Sequence, residues 1–310
     1  MTLAASAGTV GELVRRWASS RLDVSAKTRI QYEWAAARIA TDIGAIRVDR
    51  LDREDIARWL DGLASGGKYA RRSVGIFRMV LRAALADAVE SGELRRSPAA
   101  RVGMPKKVVK PGHQRGAEAW TDDEVEAFLA AIADHRWGAP IALSVFYGLR
   151  RSELLGLGWS AVDLRKRRVR IERALIEVHG RPEWSDGTNA RSRRTIQIDA
   201  ATAKSLNDHR RAQNLERQAA GNEWVDNDLV VATKTGTPVS PGNFDQTLER
   251  LVSRAGVRRL TSHGLRRTAA THMLRYADDL GEVRAAADML GHSPDMMLRT
   301  PRRCPSRSAP

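Results

Sequence analysis

Thr261-Ser262-His263-Gly264-Leu265-Arg266-Arg267-Thr268-Ala269-Ala270-Thr271-His272 reads as the opening of a helix that carries an anion pocket on its first turn. Thr261 or Ser262 is the N-cap. His263 and Arg266 stand three apart, so both project from one face of that turn. A helix N-terminus already offers free N–H groups to an anion. A forked guanidinium and an imidazole beside them suit a phosphate. A plain cap with incidental cations would use the same letters, so the neighbouring stretches have to decide.

Upstream lies Gly148-Leu149-Arg150-Arg151-Ser152-Glu153-Leu154-Leu155. Here Arg150 falls at the C-terminal end of an apolar helix, where an ion pair with Glu153 or the helix carbonyls would satisfy it. Downstream is Leu290-Gly291-His292-Ser293, a histidine just past a helix-ending glycine. Alone, each would pass for capping chemistry.

The chain has 310 residues, enough for two domains with separate cores. Lys and Arg outnumber Asp and Glu by 52 to 37, a formal charge of +15, and such a surface seeks polyanions, nucleic acid first. Cys304 is the sole cysteine, which excludes a disulfide framework and a cysteine zinc site. Met1 to Val10 lacks the basic and apolar regions of a signal peptide, and no apolar run is long enough to span a membrane. The expectation is a soluble, cytoplasmic protein without membrane contact. H-E-x-x-H and G-x-x-x-x-G-K are missing, and Gly156-Leu157-Gly158 lacks a third glycine; none of these motifs points to a metal or nucleotide cofactor.

Residues 8–100 read as helices. Thr9 caps a run with Val10, Leu13, Val14 and Trp17 at helical spacing. Ile30, Trp34 and Ile39 share one side of the next helix, which ends at Gly44. Asp52 opens a third. Val74, Phe77, Leu81, Ala84 and Ala88 form the apolar stripe of the fourth, which stops at Gly92. Lys68, Arg71, Arg72 and Arg78 decorate this last region as candidate DNA-phosphate contacts. Pro98 to Gly116 holds three prolines, three glycines and several cations; residues 101–117 are taken as a basic linker, with Lys106 and Lys107 as further contacts. Thr121 and Glu124 then form a capping box. The period changes at Arg167–Val178, where Val169, Ile171, Ala174, Ile176 and Val178 alternate as in a strand, and Arg191–Asp199 reads as its partner. Helices resume and run to Gly291.

The three motifs, in this order and at these separations, resemble the tyrosine recombinase (phage integrase) family. The resemblance implies a mainly α fold with a small antiparallel sheet, arranged as a two-domain DNA clamp. Residues 8–100 resemble the family's helical, SAM-like core-binding domain and 118–300 its mixed α+β catalytic domain, with 301–310 an irregular tail. Arg150 and Arg266 would match the two arginines that neutralise the scissile phosphate, His263 the histidine that aids proton transfer, His292 a further hydrogen-bonding histidine, and Glu153 the acid that supports the first arginine. The family's tyrosine attacks the phosphate to give a 3′-phosphotyrosyl link. Partners would be double-stranded attachment sites, bound as a homo-tetramer.

Two family elements are not matched. After Leu298-Arg299-Thr300, where the tyrosine is expected, stands Pro301; Tyr32, Tyr69, Tyr147 and Tyr276 all precede His292. Tyr147 and Tyr276 are expected to be packing residues. Thr188-Asn189 occupies the place of the hairpin lysine that protonates the leaving oxygen, and Arg191 nearby is too weak an acid to replace it. Arg, Pro and Ser in the last ten residues suggest a frameshift near codons 293–301, and the arm-type domain of many phage integrases is not seen. A strand transferase defective in cleavage is expected, or a DNA-binding protein that competes with an intact integrase. Ser293, Thr300 or Cys304 as substitute nucleophile, or a tyrosine supplied in trans, are the lesser alternatives.

Overall fold

The structure, a computed structural model, describes residues 8–106, 119–178, 180–185 and 193–291. The chain divides into two compact units, residues 1–113 and 114–310.

Among the described residues the first unit contains four α-helices, α1 (Val10–Ser20), α2 (Ala26–Ile43), α3 (Arg53–Ser65) and α4 (Arg71–Glu90), and a 3-10 turn at Val48–Arg50. Thr9 and Glu12 close a capping box on α1, and Asp52 and Asp55 do the same on α3, each satisfying N–H groups that have no partner inside the helix. The stripe expected on α4 is the centre of the core, with Val74, Phe77, Leu81 and Ala84 fully buried. On α2 the buried side is Ala35, Ala36, Ile39 and Ile43. Trp34, expected inside, is 43% exposed and leans on Phe77 with ring centroids 4.6 Å apart. Small alanines at the contact let α2 approach its neighbours closely, and a tryptophan there would hold them apart. The segment beginning at residue 101 does not start as a free linker. Ala99 and Val102 are buried in this core, and Arg71 and Arg78 each donate from Nη1, to the carbonyls of Pro105 and Val102, both at 2.8 Å.

The second unit contains α5 (Asp122–Ile132), α6 (Gly138–Phe146), α7 (Arg151–Leu155), β1 (Val162–Asp163), β2 (Arg168–Ile171), β3 (Ala174–Val178), β4 (Arg181–Ser185), β5 (Arg194–Gln197), α8 (Ala200–Ala220), α9 (Pro241–Arg254), α10 (Ser262–Arg275) and α11 (Leu280–Leu290). The Thr121–Glu124 capping box forms as the sequence indicates. β1, β2 and β5 make one antiparallel sheet, and β2 pairs with β5 as expected. The long alternating stretch is nevertheless two strands. It breaks at Glu172-Arg173, and β3 joins β4 in a separate antiparallel pair that the sequence reading did not contain. Ala174 and Val178 are buried as the alternation expects, but Leu175 is buried too and Ile176 is only half-buried. Gly156, the C-cap of α7, packs directly on the β3 backbone: an added Cβ would meet the Leu175 nitrogen at 2.7 Å.

The main core of this unit gathers Trp120, Phe128, Ile141, Leu143, Val169, Val230 and Phe244. A smaller cluster, Ala270, Leu274, Val283, Ala286, Ala287 and Leu290, joins α10 to α11. Three of these six are alanines, each burying little apolar area, so α11 depends on polar contacts at its end. Among the described residues no helix is long and apolar enough to cross a membrane.

Candidate phosphate pocket

α6 ends at Phe146, and the chain reverses through Gly148 at φ +64°. A Cβ there would sit 2.3 Å from Leu290 Cδ2 and 3.3 Å from Ala269 Cβ. Both the left-handed backbone and the close packing demand glycine. Gly148→Ala is therefore expected to cost about 3 kcal/mol of unit stability, from strain and overpacking together, read by denaturant unfolding.

This turn corrects the placement of Arg150. It is not the last residue of the apolar helix but the N-cap of α7, with extended φ −68° and ψ 149°. Glu153, at the third helical position, accepts the Arg150 N–H at Oε2 (2.8 Å) and its Nη1 at Oε1 (2.6 Å). The Glu153 side chain is 5% exposed and that of Arg150 37%. Arg150 is thus gripped from behind and open in front. Its Nη2 also makes a longer contact, 3.5 Å, to the Gly291 carbonyl.

Arg266 comes from the first turns of α10, capped by Thr261, whose Oγ1 accepts the Gly264 N–H at 3.3 Å. It is 2% exposed. Nη1 donates to the Gly148 carbonyl at 2.7 Å and Nη2 to the Leu290 carbonyl. Burial, then the charge of Arg150, presses its pKa down to about 9, which leaves it cationic at neutral pH. His263, exposed on the same turn, has its pKa lowered by loss of water, then by the charges of Arg267, Arg266 and Arg150. The imidazole is neutral at pH 7 and ready to accept a proton once an anion arrives.

Sequence reasoning missed a third arginine. Arg194 is on β5 opposite Ile171 and in phase with buried Ile196, so it projects inward with an exposure of 7%. Nη1 and Nη2 bind Glu153 Oε1 and Oε2 at 3.0 and 2.9 Å, and Nε donates to the Met289 carbonyl at 2.6 Å. A cation on the inward phase of a strand was the available signal. Burial by itself would raise the Glu153 pKa. The Arg194 ion pair, then the Arg150 N–H and guanidinium, overcome that and hold it below the ordinary glutamate value.

The pocket therefore carries three guanidiniums against one carboxylate, at the C-terminal end of α11 and the N-terminal end of α10. One anion with several acceptor oxygens is what such an excess accommodates.

Residues 118–300 match the model of the phage integrase family. The chain belongs to the phage integrase family. A XerC-like tyrosine recombinase of Caldanaerobacter subterraneus subsp. tengcongensis is 26% identical over 306 residues, covering 92% of this chain and 76% of that protein. An integrase of Streptomyces ambofaciens is 26% identical over 222 residues. That alignment takes in 69% of this chain and 54% of the relative, so the chain spans about half the length of that integrase. Among solved structures, the Tn1549 transposon integrase in complex with transposon right end DNA has the same fold, with a TM-score of 0.80, 17% identity and 96% of each chain covered. A lambda integrase dimer bound to a COC′ core site gives a TM-score of 0.67 at 20% identity, over 98% of this chain and 79% of that one. The mainly helical fold with small antiparallel sheets is that of the family's integrases.

Of the residues that the sequence singled out, Arg150, Glu153, His263 and Arg266 lie around this pocket of the integrase unit. His292 and Pro301 are outside the described residues, as is Lys107. Lys68, Arg72 and Lys106 are exposed on the other unit, whereas Arg71 and Arg78 hold carbonyls of the 102–105 segment. Tyr147 is the packing residue expected: its hydroxyl donates to Asp199 Oδ2 at 2.7 Å and accepts the Asp199 N–H at 3.0 Å. Tyr276 is not; it is 64% exposed, with Arg275 over its ring. Among the described residues no group of three His, Cys, Asp or Glu side chains is placed to hold a metal ion.

Proposed function

We propose that this integrase binds double-stranded attachment-site DNA in the cytoplasm and seats one backbone phosphate between Arg150, Arg266 and His263, but does not cleave it. The observation that carries the reading is the excess of buried guanidinium charge around the single Glu153 carboxylate. Arg150 and Arg266 would offset charge on the pentavalent phosphorus, His263 would move the proton, and Glu153 would keep Arg150 in place. His292 would add a hydrogen bond, and Lys68, Arg72, Lys106 and Lys107 would track the backbone. Assembly would be a homo-tetramer on DNA, without metal or cofactor.

The cleavage defect rests on Pro301, which follows Leu298-Arg299-Thr300 where the family resemblance places the tyrosine. Proline has no nucleophilic side chain. The full chain incubated with nicked site DNA should give no covalent protein–DNA adduct on denaturing gels, while retarding the same DNA in native gels. An adduct at any of its tyrosines would overturn the defect. Failure to retard DNA would overturn the whole reading. The same sequence feature favours a second role, a non-cutting competitor for an intact integrase at shared sites; it predicts that added chain lowers that integrase's recombination in proportion to occupancy.

A pH dependence follows from His263. Its pKa is depressed in the free chain, and a bound phosphate would raise it. Binding then takes up a proton, so affinity for DNA should rise as pH falls from about 7.5 to 5.5 at fixed salt. His263→Asn should flatten that slope in a fluorescence-anisotropy titration.

A further inference from the structure

The last three carbonyls of the α11 turn are each taken by a different arginine. Met289 accepts from Arg194, Leu290 from Arg266 and Gly291 from Arg150. A helix C-terminus has carbonyls without intrahelical partners and a partial negative charge, so three cations converging there lock its position. Two of them are the arginines assigned to the phosphate. The third, Arg194, belongs to none of the three sequence motifs.

Glu153 links them. Each of its oxygens accepts twice: Oε1 from Arg150 Nη1 and Arg194 Nη1, Oε2 from the Arg150 N–H and Arg194 Nη2. A carboxylate held by two parallel bonds on one side cannot rotate to follow its other partner. The partner must conform to the carboxylate, and that partner is Arg150, whose outer face is open.

We propose that Arg194 is a positioning residue: by gripping both Glu153 oxygens and the Met289 carbonyl, it fixes the attitude in which Arg150 meets a phosphate. This rests on the phosphate reading above. Arg194 does not touch the anion itself. Lysine cannot take its place, because a point charge on a flexible stem cannot span two carboxylate oxygens and a carbonyl at once.

The test is a titration of the full chain with inorganic phosphate, followed by 31P NMR linewidth. The pocket's share is defined as the binding removed by Arg266→Met. Arg194→Lys, which keeps the charge, should weaken that share about tenfold, the worth of one charge-assisted hydrogen bond. On an Arg150→Met background the same substitution should change nothing further, since its effect passes through Arg150. Should Arg194→Lys lose cooperative unfolding, the double replacement Glu153→Met with Arg194→Met removes both buried charges together and carries the same expectation of a tenfold loss. Wild-type affinity in Arg194→Lys would overturn the positioning role and leave the phosphate reading standing. Equal losses on both backgrounds would also overturn it, because Arg194 would then act independently of Arg150. If neither Arg266→Met nor Arg150→Met reduces binding, the phosphate reading falls and this proposal with it.

Discussion

Glu153→Ala should cost the integrase unit about 3–5 kcal/mol, the range for removing one partner of a buried ion pair. Arg194 would keep its charge at 7% exposure and lose the carboxylate that offsets it. The Arg150 backbone N–H would lose its cap as well, a smaller cost of about 1 kcal/mol. For a unit of this size the midpoint of thermal unfolding should fall by roughly 10 °C. Glu153→Gln keeps one acceptor and should fall between. The effect has a pH signature. The Glu153 pKa is lowered on folding, so its contribution is complete above the ordinary glutamate value and is lost as pH drops through the lower, folded value. Wild type and Glu153→Ala should therefore converge in acid. An unchanged midpoint at neutral pH would mean that the carboxylate does not hold these guanidiniums together.

Arg266→Met has the largest expected effect on binding. The native side chain ties the Gly148 and Leu290 carbonyls and is 2% exposed. Its loss removes a desolvated cation from the phosphate and frees both carbonyls. Affinity for a duplex selected from random sequence should drop about 100-fold, roughly 2.7 kcal/mol, as when one member of a buried charge pair is truncated. Arg72→Met is the contrast. Arg72 is exposed on α4, and its loss should cost about tenfold or less and reduce the salt slope by about one. Arg266→Lys, which keeps charge but not the fork, separates lost charge from lost carbonyl ties. Equal effects of Arg266→Met and Arg72→Met would argue for a uniform basic surface instead of a pocket.

Much of this site was legible because its parts are local. Thr261, His263 and Arg266 sit within the first two turns of one helix, and Thr121 with Glu124 is a pattern four residues long; spacing alone carries such information. The order of G-L-R-R-S-E-L-L, H-G-L-R-R-T and L-G-H-S along the chain added the family. The helical first unit followed from periodicity, apart from Trp34, whose size put it at the margin beside the buried alanines of α2.

Only the tertiary structure decided how the motifs act on one another. Arg194 meets Glu153 across 41 positions and Arg150 reaches Gly291 across 141; no short window of sequence contains either pair. Backbone carbonyls accept at Met289, Leu290 and Gly291, and a carbonyl has no letter of its own. The turn at Gly148 made Arg150 the start of one helix and not the end of another. The sequence pointed to Arg150, Glu153, His263 and Arg266 as titratable groups of the pocket, and the fold added Arg194. Packing of β5, α7, α10 and α11 decided where each guanidinium points, because their buried hydrogen bonds are satisfied by groups from four separate elements.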